Sequence, residues 1–299
     1  MKHTRAILIT IVAGNVMNLL LNMVFVFGRF GLPAMGAVGS ALSSTIGRWF
    51  MLGLLLQLSR AELAPMLRPF RRESFARAPL AAMLRLGMPI GIQTSVEYTT
   101  FVSITVMAGW FGAAAIGGHQ VALNFASLTY MVPAGIGSAA SVLVGHAIGE
   151  GDAPHARRVA ASALLVGAGF MLLMALMMFA LPGVFAAAYS SVPGVVAIAV
   201  TLIPIAGVFQ VFDGVQVVAA GVLRGAGDTR AAMLANLLGF WIIGMPVSLA
   251  LGFRAQLGVV GLWWGFVAGL AAVAAFLTAR VRQRLGGELV RLDLERTAV

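Results

Sequence analysis

Long apolar stretches are the feature that most limits what this chain can fold into. Eight continuous, mostly apolar runs cover residues 6–27, 34–58, 88–111, 115–148, 158–184, 193–222, 231–253 and 257–279. Each is long enough for an α-helix to cross the hydrocarbon core of a bilayer, which takes about 20 residues. The runs do not alternate between apolar and polar residues, so they indicate helices rather than the strands of a membrane β-barrel. We therefore expect an all-α membrane protein with about eight transmembrane helices.

Composition argues against a soluble globular fold. Hydrophobic residues make up 60% of the chain and charged residues 10%, and the mean hydropathy is +0.97. Soluble domains average about 45–50% apolar and about 25% charged residues, and such a domain could not bury this much apolar surface. There is no Cys, which excludes disulfides, thiol catalysis and thiolate metal sites.

The basic residues set the expected orientation. Of the 20 Lys and Arg residues, Arg48 falls inside a span and Arg29 and Arg254 lie on one side of an eight-span topology, which leaves 17 on the other side. The positive-inside rule then predicts that both termini are cytoplasmic. The net charge of +10 is explained by these connectors and their contact with anionic membrane lipids, so we expect no nucleic-acid partner.

The longest connector between spans, rich in Arg and Pro, divides the chain. We expect residues 1–58 to form two helices, residues 59–80 a basic cytoplasmic linker, residues 81–280 six helices, and residues 281–299 a charged cytoplasmic tail.

The second and eighth spans begin alike. The pattern Gly-x-Val-Gly occurs at residues 36–39 and again at residues 258–261, each time after a turn that contains glycine. If this is an internal repeat, the first two spans correspond to the last two. The six-helix unit would then follow the last two helices of an earlier unit, whose first four helices would be missing from the front of the chain. Coincidence is the alternative, because glycine is common in membrane helices.

Glu97 and Asp213 fall inside apolar runs, whereas the other eight of the ten acidic residues lie in connectors or the tail. A charged residue at the centre of a membrane helix costs about 2.5–3.5 kcal/mol on insertion scales, and neither acid has a Lys or Arg within one helical turn. Burial favours the neutral form of a carboxyl, so each could exchange a proton between two states. Two carboxylates with nearby oxygens would equally suit Na⁺. We expect a cation-coupling site here. The alternative is that an amide, a hydroxyl or a remote cation merely satisfies each acid.

Neighbouring polar and soft side chains are candidates for lining a cavity. Gln93 lies one turn before Glu97, and Gln210 and Gln216 lie three residues on either side of Asp213, so each shares a helix face with its acid. Thioether and aromatic groups suit varied organic cations. The remaining candidates are Gln120, Asn124, Met131 and Phe209.

Two further polar residues in the spans are interpreted as structural. We expect His119 to be hydrogen-bonded within the fold rather than to relay protons, and Arg48 to extend to an interface rather than to neutralise a buried acid.

Three segments carry a family resemblance. They cover residues 117–146 (GGHQVALNFASL, continuing through MVP to GH), residues 209–228 (FQVFDGVQVVAAG, ending LRGAGD) and residues 18–28 (NLLLN, leading to FG). These segments resemble the multidrug and toxic compound extrusion (MATE) family, in its NorM-like branch. The resemblance extends over essentially the whole chain to about residue 280.

The resemblance implies a bacterial inner-membrane antiporter of two six-helix lobes that open alternately to either side. Such proteins exchange organic cations or drugs for Na⁺ or H⁺, need no cofactor, and are expected here as monomers. In the NorM-like pattern the second lobe carries a Glu in its first helix and an Asp in its fourth, which fall on Glu97 and Asp213. The chain departs from the family in having no counterpart of the first four helices. Because a central cavity needs both lobes, an inactive fragment is an alternative.

Two other functional classes fit the sequence less well. A lipid-linked oligosaccharide flippase of related architecture should carry several basic residues in its cavity to hold a pyrophosphate, and only Arg48 lies deep in a span. A membrane-embedded enzyme needs a metal cluster or a nucleophile with its base, and the sequence pairs no such residues. We therefore expect a transporter and not an enzyme.

Overall fold

The computed structural model describes residues 2–29, 33–67 and 77–287, and every regular element in these residues is a helix. The prediction of an all-α membrane protein is confirmed for this part of the chain. In chain order the helices are α1 (Lys2–Phe25), α2 (Gly36–Leu58), α3 (Arg60–Leu67), α4 (Arg77–Trp110), α5 (Ala113–Glu150), α6 (Ala153–Ala180), α7 (Pro182–Tyr189), α8 (Pro193–Gly225), α9 (Thr229–Arg254) and α10 (Gly258–Gly286).

Seven helices in the described ranges are long and apolar enough to cross a membrane, namely α1 from Arg5 onward, α2, α5, α6, α8, α9 and α10. Sequence analysis predicts about eight spans, and α4 accounts for the difference. It has 34 residues, but its central turns carry Gln93, Glu97 and several Thr and Ser residues, which lower its hydropathy. The protein is a multi-pass membrane protein.

The chain forms two compact units, Met1–Arg77 and Ala78–Val299. Part of the expected linker, residues 60–67, is the helix α3, and α4 begins at Arg77. The rest of the predicted linker, residues 68–76, lies outside the described residues, as do residues 288–299 of the predicted tail. The first residues of that tail are helical, because α10 continues to Gly286.

In the first unit, small residues allow α1 and α2 to approach closely. Gly14 on α1 lies against the side chain of Met51 on α2, and Gly47 on α2 lies against Asn18 on α1. Such contacts are typical of membrane helices, whose association relies on van der Waals packing because lipid is as apolar as their side chains.

The two Gly-x-Val-Gly sequences adopt the same local structure. Gly36 and Gly258 both have positive φ, 51° and 58°, a conformation that glycine adopts without steric cost. Three residues later, a Cβ on Gly39 would lie 2.5 Å from the carbonyl oxygen of Phe25, and one on Gly261 would lie 2.5 Å from that of Leu251. This shared geometry supports an internal repeat.

The core of the second unit is built around α8. Gly137, Ser141 and Gly145 follow one another at four-residue spacing on α5. A Cβ on Gly221 of α8 would overlap the carbonyl of Gly137, and one on Gly225 would overlap the carbonyl of Ser141. The backbones of the two helices therefore meet through a stripe of small residues.

Aromatic side chains fill the space between α4, α8 and α10. Phe209 lies 4.9 Å from Phe266 and 5.6 Å from Trp263, and Phe101 lies 4.6 Å from Phe266, all measured between ring centroids. These rings help to fix the distance of α4 from α8, the two helices that carry Glu97 and Asp213.

Polar contacts gather at one end of the second unit. Arg280 near the end of α10 pairs with Asp228 between α8 and α9, at 2.8 Å. Arg157 at the start of α6 donates a hydrogen bond to the carbonyl of Leu285 on α10. The start of α6, the α8–α9 connector and the end of α10 therefore lie together, as an alternating topology requires.

Candidate functional site

A cavity of about 480 Å³ lies between α4, α5 and α8 in the second unit. The α4 side carries Gln93, Glu97 and Tyr98, and the α5 side carries Tyr130 and Met131. The α8 side contributes Phe209, Asp213, Gln216 and Arg224. Acidic, amide and aromatic groups thus share one space.

A single amide links the carboxyls of Glu97 and Asp213. The side-chain Nε2 of Gln216 donates to Oε1 of Glu97 at 3.4 Å and to Oδ1 of Asp213 at 3.3 Å. The other oxygen of Glu97, Oε2, accepts a hydrogen bond from Nδ2 of Asn236 on α9 at 3.3 Å. Asp213 is only 4% exposed. Residues from α4, α8 and α9 therefore converge on one acidic pair.

The site has more acceptors than donors. Oε1 of Gln216 and Oδ1 of Asn236 are buried, and no described group donates a hydrogen bond to either. An acceptor buried without a partner costs about 1–3 kcal/mol. A bound proton or a hard cation such as Na⁺, which prefers oxygen ligands, would supply the missing positive charge. The oxygen atoms of this site therefore fit a small monovalent cation.

The two acids are not neutralised by a fixed ion pair. Within the described segments, no Lys or Arg nitrogen lies within 4.0 Å of Glu97 or Asp213, and the pair of Arg280 with Asp228 lies elsewhere. The carboxyls are held by amides, which leaves their negative charge available to a mobile cation.

The structure brings six of the sequence candidates to this cavity: Gln93, Glu97, Met131, Phe209, Asp213 and Gln216. It does not bring Gln120, Asn124 or Gln210 to it. Gln120 and Asn124 are exposed on α5 and contact each other at 3.5 Å. Gln210 is buried, and its Oε1 accepts a 2.6 Å hydrogen bond from Thr129 on α5. Spacing places Gln210 near the face of Asp213, but contact with Thr129 turns it toward another helix.

Several residues near the acids are not among the sequence candidates, including Arg224, Tyr130 and Asn236. Arg224 follows the apolar run that ends at residue 222, and it reaches the cavity because α8 continues to Gly225. Tyr130 lies beside the candidate Met131. Its hydroxyl group, a polar group inside an apolar run, is the signal that could have identified it. Asn236 precedes a stretch of π-helix, Leu237–Gly244, and π-helical turns often occur at functional sites.

His119 belongs to a buried hydrogen-bond chain outside the cavity. Trp263 on α10 donates its Nε1–H to Nδ1 of His119 at 3.2 Å. Because an indole N–H can only donate, the ring proton of His119 is on Nε2, which lies 2.9 Å from Oγ1 of Thr105 on α4. Thr105 in turn donates to the carbonyl of Phe101 at 2.9 Å. A histidine held in one neutral tautomer in this way joins three helices.

A second depression, of about 550 Å³, lies between α4 and α9. Met88, Ile92, Val96, Leu237 and Trp241 make its surface mostly apolar. None of the described residues that line it is charged, so the cation chemistry belongs to the first cavity.

Comparison with known proteins identifies the family. The MatE family model matches residues 89–250. The chain is 39% identical to the multidrug resistance protein NorM of Burkholderia vietnamiensis over 282 residues, which are 92% of this chain and 61% of the relative. It is 36% identical to the multidrug resistance protein PmpM of Pseudomonas aeruginosa over 285 residues, 93% of this chain and 60% of the relative. The chain thus spans about three-fifths of the length of these curated relatives.

Solved structures show the same fold. The eukaryotic MATE transporter AtDTX14 matches with a TM-score of 0.85 and 22% identity, over 98% of this chain and 64% of that one. The Vibrio cholerae MATE transporter VcmN in its bent form matches with a TM-score of 0.77 and 19% identity, over 93% of this chain and 62% of that one. Together with the sequence relatives, these matches show that the chain belongs to the MatE family, in its NorM-like branch.

Proposed function

We propose that this chain is a cation-coupled exporter of organic cations, with Glu97 and Asp213 as its ion site. The observation that carries the proposal is the acidic pair itself: two carboxyls from two helices share the amide of Gln216 beside a cavity, without a fixed counter-ion among the described residues. The names of the relatives, multidrug resistance proteins NorM and PmpM, support drug export.

The amides give the ion site two arrangements. Without a bound ion, the N–H groups of Gln216 and Asn236 face the carboxylates and partly offset their charge. When Na⁺ or H⁺ binds, the carboxylates no longer need these donors, and the free oxygens of the two amides can turn toward the ion. Binding therefore changes contacts between α4, α8 and α9, and a ligand shifts a conformational equilibrium only through such differential contacts.

The cavity also suits the organic substrate. Tyr98, Phe101 and Phe209 present aromatic rings and Met131 a flexible thioether next to the carboxylates. Aromatic faces attract cations, and methionine adapts to varied shapes. A small organic cation and the coupling ion would then compete for the same negative charge, which is the basis of exchange. No enzymatic cofactor takes part.

The membrane placement follows the charge distribution. We infer a monomer in the bacterial inner membrane. Both ends of this chain should lie in the cytoplasm, because 17 of the 20 Lys and Arg residues fall on that side of an eight-span topology. Residues 1–58 are assigned to the last two helices of a first lobe and residues 81–280 to a six-helix second lobe, as the relatives' greater length supports.

Lipid-linked oligosaccharide transport is the weaker candidate. A pyrophosphate calls for several positive groups, whereas the described lining of the cavity holds two carboxyls and one basic residue, Arg224. A lipid pyrophosphate that bound more tightly than an organic cation would favour this alternative.

The proposal is tested by transport in everted membrane vesicles from cells that lack their own drug exporters. Ethidium accumulation driven by an imposed Na⁺ or pH gradient is expected for the wild type and should be lost in Asp213→Asn. Glu150→Gln is the matched control, because Glu150 is an exposed acid at the end of α5. Gradient-driven accumulation that persists in Asp213→Asn, or that never occurs with the wild type, would contradict the proposal.

A further inference from the structure

Arg224 is the one basic residue among the described groups that line the cavity of Glu97 and Asp213. It lies near the end of α8, a helix whose other cavity residues are Phe209, Asp213 and Gln216. Side chains on a helix lean toward its N-terminus, and on α8 that is the direction of Gln216 and Asp213. Arg224 and Glu97 line the same cavity, so no helix separates the two charges.

The guanidinium has a free donor. Its Nε is buried, and no described group accepts a hydrogen bond from it. Asp228, the nearest acid along the chain, is already paired with Arg280 at 2.8 Å. Arg224 and Gln216, which carry an unsatisfied buried donor and an unsatisfied buried acceptor (Oε1 of Gln216), therefore line the same cavity.

We propose that Arg224 is a tethered counter-cation that competes with the coupling ion for Glu97 and Asp213. This inference rests on the proposed function. When the ion is present, the guanidinium stays back from the acids. When the ion leaves, the guanidinium moves toward Glu97 and Gln216 and provides the positive charge that the ion supplied. Guanidinium groups bind carboxylates through paired hydrogen bonds, which suits them to this exchange.

The competition has a direct consequence for binding. A fixed positive charge near the acids lowers the affinity of any other cation for them. Replacing Arg224 by Gln should therefore tighten cation binding, whereas the loss of a merely structural residue would weaken it. Two unit charges about 10 Å apart in a partly polar interior interact strongly enough to change the Kd by about tenfold.

The experiment measures the Kd of tetraphenylphosphonium and of ²²Na⁺ for the purified chain in detergent. Arg224→Gln should bind at least one of these cations about tenfold more tightly than the wild type and release it more slowly. Arg224→Lys keeps the charge and should stay within about twofold of the wild type. Arg284→Gln is the matched control, because Nε of Arg284 is also buried without a partner but does not line the cavity.

The outcomes separate the two proposals. An unchanged or weaker affinity in Arg224→Gln, with a melting temperature like that of the wild type, overturns the role of Arg224 alone. If Arg224→Gln has a lower melting temperature than the wild type, the milder variant Arg224→Met replaces it. Unchanged affinity of Arg224→Met for both cations also overturns the role of Arg224. A wild type that binds neither cation refutes the proposed function, and this inference with it.

Discussion

Trp263 donates its indole N–H to Nδ1 of His119 over 3.2 Å, and both side chains are fully buried. This bond joins α10 to α5, and the 2.9 Å contact of His119 with Thr105 adds α4. The three helices are thereby fixed next to the cavity without any charged group. These bonds support the structural role that the sequence predicts for a lone histidine in a membrane helix.

Replacing His119 by Ala should destabilise the second unit. The substitution leaves the Trp263 N–H buried without an acceptor, which costs about 1–3 kcal/mol, and it opens a void among packed rings. The melting temperature in detergent, followed by fluorescence-detected size-exclusion chromatography, should fall by several degrees. His146→Ala is the control, because His146 is exposed on the same helix. Equal melting temperatures for the two variants would refute this role.

Gly221 should not tolerate a side chain. A Cβ at this position would overlap the backbone carbonyl of Gly137, which cannot move without displacing α5. We expect Gly221→Ala to lower the free energy of unfolding by about 1–3 kcal/mol, the usual cost of overpacking a core. Gly169→Ala, where a Cβ meets nothing within 4 Å, should be neutral or slightly stabilising. Similar unfolding curves for the two alanine variants would show that α5 and α8 do not meet closely here.

Asn236 should matter to the ion site, and Gln120 should not. Asn236→Leu removes the donor to Oε2 of Glu97 and a free oxygen beside the acids. Hydrogen bonds to charged groups contribute about 1.5–3 kcal/mol, so we expect the affinity for the coupling cation to fall at least tenfold.

The control for Asn236→Leu is Gln120→Leu, since this exposed amide lies outside the cavity. Equilibrium dialysis with ²²Na⁺, or proton uptake in weak buffer, measures both variants. An Asn236→Leu protein with wild-type affinity would exclude Asn236 from the site.

The acids are the easiest site candidates to find in the sequence, because a carboxyl in an apolar run is rare and costly. Counting alone identifies Glu97 and Asp213, and helical spacing from these acids leads to Gln93 and Gln216. Spacing fails for Gln210, because the phase of its own helix does not predict that Thr129 on another helix donates a hydrogen bond to it. Which face meets the cavity depends on neighbouring helices.

Helix ends and contacts between helices explain the other differences between the sequence predictions and the structure. Arg224 belongs to α8 although the apolar run stops earlier, since a helix in a membrane protein can continue beyond the bilayer. Asn236 lies on α9 and contacts Glu97 on α4, and spacing along a single helix does not predict a contact between helices. The number of spans differs because the polar residues that build the site also lower the hydropathy of α4.

The most direct test of the central claim counts the ions that are released when a drug binds. Tetraphenylphosphonium is titrated into the purified chain while released protons are followed in weak buffer and released ²²Na⁺ is counted. If Glu97 and Asp213 hold the coupling ion, the wild type should release about one monovalent cation per molecule bound, and Glu97→Gln combined with Asp213→Asn should release none. Equal release from the wild type and the double variant would contradict the account.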